Sequence, residues 1–190
     1  MRIAVYPGSF DPLHRGHLAI MEYLTADRDF DMVYLVISPQ SPFKDPSKAD
    51  SAERRYRDAV TAVALHPDLK VRVEDIELGM EAPHYTIRTL DALKCREPGN
   101  EFTLVMGADN LAGIRGWKEY VRILCEYGIA VYPRKPYDAA ALREDLCRDI
   151  PGARIEVLDA GTVDISSTRI REAMAAGEDM SAWLMDGGSK

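Results

Sequence analysis

The sequence has little cysteine and no long hydrophobic run, and each absence excludes a class of protein. Its 190 residues include three cysteines, Cys95, Cys125 and Cys147, which are far apart and form no CxxC pair. Neither a disulfide framework nor a zinc knuckle is therefore indicated, and free thiols in the cytoplasm are expected. No stretch reaches the roughly 18 apolar residues of a membrane span. The start, MRIAVYPG, is too short an apolar run for a signal peptide.

Positive charge is also scarce. The chain has 24 Lys and Arg against 31 Asp and Glu, a net charge of -7. A broad nucleic-acid surface needs a basic stripe, so neither nucleic acid nor a membrane is an expected partner. A small anion needs only a few converging basic residues. The length and the 46% hydrophobic content predict one globular domain over 1–190, in which 163–190 forms a C-terminal segment and tail.

Short apolar runs alternate with amphipathic stretches along the chain. Strands are predicted at 2–6, 31–38, 69–78, 101–107, 129–133 and 154–160, and helices at 17–25, 50–64, 86–93, 117–126, 138–149 and 166–176. This alternation predicts an α/β fold: a Rossmann-like, doubly wound, mostly parallel sheet of about five or six strands with helices on both faces. Ligands of such a sheet bind beyond the carboxyl ends of its strands.

The stretch DPLHRGH (11–17) lies where the first predicted strand hands over to the first helix. The first amides of a helix lack internal partners, and with the helix dipole they attract anions such as phosphate. Gly16 would let the backbone approach a ligand closely, and Gly8 suits the turn at the strand end. His14 and His17 add two imidazoles that can donate hydrogen bonds to phosphate oxygens.

Two other interpretations of this stretch stay open on the local pattern. It matches neither GxGxxG nor the P-loop, so it can also be a capped turn with surface histidines. A metal site made of His14, His17 and Asp11 is the third interpretation, and it would need a further ligand from elsewhere.

A second cluster lies near the end of the chain. The stretch VDISSTRIRE places three hydroxyls and two arginines at a predicted helix start: Ser166, Ser167, Thr168, Arg169 and Arg171. Arginine in a first turn opposes the helix dipole unless an anion is bound. Hydroxyls, free amides and guanidinium groups together suit a phosphate. The alternative is an ordinary N-cap followed by solvated arginines.

These two motifs carry a family resemblance. GSFDPLHRGH resembles the (H/T)xGH motif of the nucleotidyltransferase superfamily, and ISSTRIR resembles its second signature, ISSTxIR. Within that superfamily, the segments SPQSPFK, APHYTIRTL and GADNL with Trp117 resemble those of the bacterial nicotinate-nucleotide adenylyltransferase family. The similarity covers about residues 1–176.

The resemblance implies a nucleotidyltransferase fold and a reaction. AMP passes from ATP to nicotinate mononucleotide, giving nicotinate adenine dinucleotide and pyrophosphate, by direct in-line attack without a covalent enzyme intermediate. Mg²⁺ is the implied cofactor, held mainly by phosphates and by no dedicated protein ligands. Nicotinamide mononucleotide or phosphopantetheine as acceptor, and a non-catalytic nucleotide-binding domain, are the alternatives. A homo-oligomer is left open.

The resemblance also implies which residues act. The implied catalytic residues are His17, His14, Lys44 and Arg171, with His17 at the α-phosphate of ATP. The implied ATP-binding residues are Gly8, Ser9, Phe10, His14, Gly16, His17, Gly107, Asp109, Ser166, Ser167, Thr168 and Arg171. The implied nicotinate mononucleotide-binding residues are Ser9, Lys44, Tyr85, Thr86 and Trp117.

Two of these residues have ordinary structural alternatives. Trp117 is implied to stack on the nicotinate ring, but a tryptophan at a helix start also packs against a core. Asp109 is implied to bind a nucleotide ribose or base, whereas the alternative is the N-cap of a short turn. Tyr85 and Thr86 lie at a predicted helix start, whose free amides suit the nicotinate carboxylate.

Overall fold

A six-stranded sheet forms the centre of the protein. The computed structural model describes residues 1–26, 30–39, 50–160 and 165–186. Its strands are β1 (Arg2–Gly8), β2 (Met32–Ile37), β3 (Val71–Glu74), β4 (Glu101–Gly107), β5 (Ile129–Tyr132) and β6 (Ile155–Val157). They lie in the order β3-β2-β1-β4-β5-β6, and each neighbouring pair is parallel. The predicted Rossmann-like α/β fold is confirmed.

Helices cover both faces of this sheet. They are α1 (Arg15–Ala26), α2 (Asp50–Ala64), α3 (Thr86–Arg96), α4 (Ala108–Ala112), α5 (Tyr120–Arg122, continued as a π-helix, Ile123–Tyr127), α6 (Ala139–Asp149) and α7 (Ser167–Ala175). Side chains alternate along a strand, so Ile3 and Val5 pack with α3 to α6 while Ala4 and Tyr6 pack with α1 and α2. Among the described residues, no helix is both long and apolar enough to cross a membrane.

The strand predicted at 69–78 is too long. β3 ends at Glu74, and the chain turns into a 3₁₀ helix, Ile76–Gly79. The Leu78 N–H donates to the carbonyl of Asp75 at 2.8 Å and closes this turn. Glu77 is buried there and accepts a hydrogen bond from the Thr89 hydroxyl at 2.7 Å. The alternating pattern of the sequence therefore runs past the end of β3. Its last part belongs to the 3₁₀ helix, where Glu77 is buried against Thr89.

One predicted helix start matches the structure and another is displaced. The helix predicted at 86–93 begins at Thr86, with Tyr85 as its N-cap. The helix predicted at 117–126 begins only at Tyr120. Glu119 precedes it with a φ of 52°, in the left-handed region, and this break separates Trp117 from the helix.

The carboxyl ends of β1, β4 and β5 meet at one edge of the sheet because all strands run in the same direction. The C-terminal part of the chain returns to this edge. Leu184 forms an antiparallel bridge with His14, and the Met185 N–H donates to the carbonyl of Leu13 at 3.4 Å. The side chain of Met185 is buried in the core on the α1 and α2 face. Residues 184 and 185 thus hold the backbone of the first motif in place.

Candidate active site

The loop after β1 turns sharply into α1. Gly8 ends the strand, and Phe10 has a φ of 43°, a left-handed conformation that non-glycine residues seldom adopt. The Phe10 ring folds back over Gly8, where a Cβ would lie 2.9 Å from the ring. Glycine at position 8 therefore makes room for a buried aromatic side chain. Phe10 is 5% exposed, so its ring supports the site from within rather than facing a ligand.

His14 and His17 stack on each other at the start of α1. Their ring centroids are 3.7 Å apart, with 23° between the planes. The backbone N–H of His14 donates to Nδ1 of His17 at 3.2 Å, and that of Gly16 donates to Nδ1 of His14 at 3.1 Å. Each Nδ1 is an acceptor, so each neutral ring carries its proton on Nε2. A Cβ at Gly16 would lie 3.0 Å from the His14 ring.

Both imidazoles are neutral at pH 7. Burial disfavours the charged form and lowers the pKa of His14 from 6.5 to about 4, and the Arg134 cation adds to this effect. Burial also lowers the pKa of His17 well below its ordinary value, with smaller contributions from His14 and Arg134. The pair therefore offers two Nε2–H donors, and a bound anion would shift both rings towards the protonated form.

The metal interpretation of this motif finds no support in the geometry. Both Nδ1 atoms accept backbone hydrogen bonds, so neither is free to bind a metal ion. The carboxylate of Asp11 lies 3.7 Å from the guanidinium of Arg54. Among the residues with described positions, no group of three His, Cys, Asp or Glu side chains is placed to hold a metal ion.

The lowered pKa of His14 predicts a loss of stability in acid. The unfolded chain binds a proton at His14 near pH 6.5, whereas the folded protein binds it only near pH 4. Between these values the unfolded state binds more protons, so the free energy of unfolding falls as the pH falls through this window. His14→Asn keeps an acceptor for the Gly16 N–H without a titrating ring. Denaturant unfolding from pH 6.5 to 4 should therefore show a shallower decline for the variant, and identical slopes would contradict the prediction.

The second motif contacts the first. The Ser167 hydroxyl donates to the carbonyl of Pro12 at 3.1 Å, across 155 residues of sequence. Arg171 donates through Nη1 to the carbonyl of Asp11 and through Nη2 to the Thr168 hydroxyl, the latter at 3.2 Å. The two predicted anion sites are thus parts of one site.

α7 is held by its own cap and by one apolar anchor. The Ser166 hydroxyl is the N-cap and accepts from the backbone N–H of Arg169 at 3.3 Å. Ile170 is fully buried, whereas Thr168 and Arg169 are exposed. The helix therefore presents its hydroxyl-bearing start and Arg171 to the first motif while the Arg169 side chain lies in solvent.

Asp109 lies beside this edge, and one of its carboxylate oxygens has no hydrogen-bond partner among the described residues. It occupies the first turn of α4, whose N-cap is Gly107, so the interpretation of Asp109 as an N-cap is wrong. Its Oδ2 lies 3.4 Å from Nη1 of Arg134. Its Oδ1 is buried and has no hydrogen-bond partner among the described residues. A Cβ at Gly107 would collide with that same oxygen and approach the Tyr132 ring to 3.0 Å.

Arg134 is a site residue that the sequence motifs did not indicate. It follows β5 by two positions and lies at the carboxyl edge, where its charge acts on His14, His17 and Asp109. The available signal was positional: a basic residue directly after a buried strand of a parallel sheet faces the ligand edge.

The residues implied to bind the acceptor form a separate group. Tyr85 and Trp117 line one open groove of about 660 Å³ together with residues 115–122. Thr86 is the first residue of α3, next to Tyr85. Trp117 is only partly buried, so one part of the side chain packs on the core while another faces the groove. Ser9 is exposed in the first-motif loop, and Lys44 lies outside the described residues.

The fold and the paired motifs define the class of protein. The family model described as cytidylyltransferase-like matches residues 5–173, and the chain belongs to that family. A solved structure of the Plasmodium falciparum nicotinic acid mononucleotide adenylyltransferase, complexed with NaAD, has a similar fold. Its TM-score is 0.79 at 18% identity, with 96% of this chain and 90% of that chain covered.

Curated relatives narrow the class. A Flavobacterium johnsoniae protein named "Probable nicotinate-nucleotide adenylyltransferase" is 34% identical over 97% of this chain and 92% of its own length. A Bacteroides fragilis protein of the same name is 36% identical over 96% of this chain and 87% of its own length. Within the cytidylyltransferase-like family, the chain therefore belongs with the nicotinate-nucleotide adenylyltransferases.

Proposed function

We propose that this protein transfers the adenylyl group of ATP to nicotinate mononucleotide, giving nicotinate adenine dinucleotide and pyrophosphate in NAD biosynthesis. Family membership supports the reaction. The observation that carries it is the contact between the two motifs, in which Ser167 and Arg171 reach the loop that precedes His14. The neutral imidazoles, the hydroxyls and the Arg171 guanidinium lie together at the N-terminal ends of α1 and α7, an arrangement that suits a triphosphate.

The proposed transfer is a single in-line displacement. A phosphate oxygen of the mononucleotide attacks the α-phosphorus of ATP and forms the new P–O bond. The bond from that phosphorus to the oxygen bridging the α- and β-phosphates breaks, and pyrophosphate leaves with the electron pair. No protein nucleophile takes part, so the residues act by positioning the phosphates and stabilising charge.

The donors of the site are assigned by their positions. Nε2–H of His17 donates to the α-phosphate, and that of His14 helps to hold the phosphates of ATP. Ser167, Thr168 and Arg171 bind the β- and γ-phosphates. The Arg171 guanidinium has five N–H donors, and its two contacts to Asp11 and Thr168 leave others for a phosphate.

Two further groups complete the ATP side. Arg134 adds a cation whose charge reaches both histidine rings. Asp109 Oδ1 is a buried acceptor without a partner among the described residues, which suits a ribose hydroxyl. Gly8, Ser9, Phe10, Gly16 and Gly107 contribute backbone close to the nucleotide.

Mg²⁺ is the proposed companion of ATP. The described site is rich in hydrogen-bond donors. Its two carboxylates lie near arginines rather than near each other: Asp11 is close to Arg54, and Asp109 is close to Arg134. Such a site fits a magnesium ion that is bound by phosphate oxygens and water. When bound, the ion neutralises charge on the pyrophosphate leaving group.

The acceptor is proposed to lie in the groove between Tyr85 and Trp117. The start of α3 provides the amides of Thr86 and the next residue for the nicotinate carboxylate. The negative charge of that carboxylate would distinguish nicotinate from nicotinamide, which is neutral at this position. Ser9 and Lys44 are proposed to meet the phosphate of the mononucleotide.

Removing the Trp117 ring should weaken acceptor binding selectively. If it stacks on the nicotinate ring, Trp117→Ala loses about 1–3 kcal/mol, which is roughly a five- to 150-fold rise in KM for nicotinate mononucleotide. KM for ATP should stay nearly constant. Val121→Ala is the matched control, since Val121 lines the same groove but has no ring. Equal effects of the two substitutions would assign Trp117 to packing alone.

One assay tests the function as a whole. Steady-state kinetics with Mg-ATP would compare nicotinate mononucleotide, nicotinamide mononucleotide and phosphopantetheine as acceptors. The proposal expects the highest kcat/KM for nicotinate mononucleotide. A higher value for either other acceptor would replace the assigned substrate, and ATP binding without pyrophosphate release would identify a non-catalytic domain.

A further inference from the structure

Arg55 is a charged residue in the interior of the protein. It lies in α2, and only 4% of its surface is exposed. Its spacing from Ala52 and Ala59, both buried, places it on the apolar stripe of the helix. A buried cation is tolerated where hydrogen-bond acceptors replace water. The buried guanidinium of Arg55 is therefore expected to be surrounded by hydrogen-bond acceptors.

Its acceptors come from two loops at the carboxyl edge of the sheet. Nη1 donates to the carbonyl of Ser9 at 2.5 Å and to that of Ser38 at 3.0 Å. Nη2 donates to Ser38 at 3.0 Å and to Pro39 at 2.9 Å. Ser9 follows β1, and Ser38 and Pro39 follow β2. The two Nη atoms of a planar guanidinium donate to three carbonyls here, whereas a lysine ammonium has a single nitrogen from which to donate.

The Ser9 carbonyl belongs to the peptide that joins Ser9 to Phe10. The orientation of that peptide is coupled to the φ of Phe10, which is 43°. A left-handed phenylalanine persists only where its surroundings fix it. The Phe10 ring then stands edge-on against the His17 ring, with the centroids 5.0 Å apart. A continuous path of contacts therefore leads from Arg55 through Phe10 to His17.

We propose that Arg55 is a positioning residue that acts on the transfer reaction through Phe10 and His17. By holding the Ser9–Phe10 peptide, it fixes the Phe10 ring and with it the plane in which His17 presents Nε2–H. The end of β2 is the anchor for this arrangement, since Ser38 and Pro39 share the same guanidinium. This inference rests on the proposed function for its kinetic consequence.

A double-mutant cycle tests the path. Arg55→Lys should lower kcat by roughly ten- to hundredfold, because a displaced donor meets the reacting phosphate poorly. In a His17→Ala background, the same substitution should change kcat by less than about twofold, since the group through which Arg55 acts is gone. Equal factors in the two backgrounds would overturn the inference. Arg57→Lys, on the exposed side of the same helix, is the control and should leave kcat unchanged.

A second measurement separates this inference from the proposed function. In ¹⁵N-labelled protein, the ring nitrogen signals of His17 report its hydrogen bonding without any turnover. Arg55→Lys should shift these signals while Arg57→Lys does not, and unchanged His17 signals in folded Arg55→Lys would overturn the inference. A wild-type protein that fails to use nicotinate mononucleotide would overturn the proposed function alone, since the spectroscopic result does not depend on it.

Discussion

Replacing His17 with alanine is expected to lower kcat by about 10²–10³-fold, the usual loss when one preorganised donor to a developing charge is removed. The His14 N–H occupies Nδ1 of His17, so Nε2–H points away from the backbone in a fixed direction. A donor held in this way needs no reorganisation during the transfer. The loss should therefore fall on the chemical step and leave ATP binding within a few-fold.

Two measurements check this expectation for His17. Single-turnover rates with saturating substrates report the chemical step, and calorimetry with a non-hydrolysable ATP analogue reports binding. His17→Gln is the informative companion, because its amide N–H reaches roughly as far as Nε2 and should retain part of the rate. Unchanged turnover in His17→Ala would remove this residue from the reaction.

Replacing Arg171 with alanine is expected to lower kcat/KM for ATP by roughly 30- to 1000-fold, or about 2–4 kcal/mol. Two effects combine in this loss. The cation proposed to hold the β- and γ-phosphates disappears, and the carbonyl of Asp11 loses the donor that ties the first-motif loop to α7. Arg171→Lys should recover only part of the loss, because an ammonium keeps the charge but lacks the two separate Nη atoms that reach Asp11 and Thr168.

Arg169→Ala is the matched control for this experiment. Arg169 lies two residues earlier on the same helix, and its side chain is exposed. Its backbone N–H, which the substitution retains, makes the capping bond to Ser166. The control should therefore keep kcat/KM within a few-fold, with an unchanged melting temperature. Equal losses in the two variants would mean that general positive charge, rather than the position of Arg171, supports the reaction.

The fold was predictable from the sequence because its main signal is local. Buried parallel strands are short apolar runs, and each strand predicted here exists in the structure. The errors lie at two element boundaries. Glu77 leaves the strand pattern, and its carboxylate accepts a hydrogen bond from Thr89, 12 positions along the chain. Glu119 delays a helix by adopting a left-handed conformation that non-glycine residues seldom adopt.

The candidate site was also predictable from the sequence only in part. The helix starts of the two motifs carry recognisable side chains, and the structure brings these motifs together. The carbonyls of Asp11 and Pro12 were not predictable as their acceptors, because backbone groups have no sequence signature. Arg55 and Arg134 were also missed, although a basic residue on an apolar stripe or directly after a strand is a readable signal.

The first-motif loop is completed late in the synthesis of the chain. It depends on hydrogen bonds from Ser167, Arg171 and Met185, which are synthesised long after the loop itself. During synthesis the chain emerges from its N-terminal end at about 5–20 residues per second, so the loop at Asp11 waits roughly 10–30 seconds for Arg171. Until then the carbonyls of Asp11 and Pro12 lack these donors, and that of Leu13 waits longer, for Met185. An incomplete chain that ends before Ser166 would therefore hold both histidines in an unfinished cleft that lacks Ser167 and Arg171.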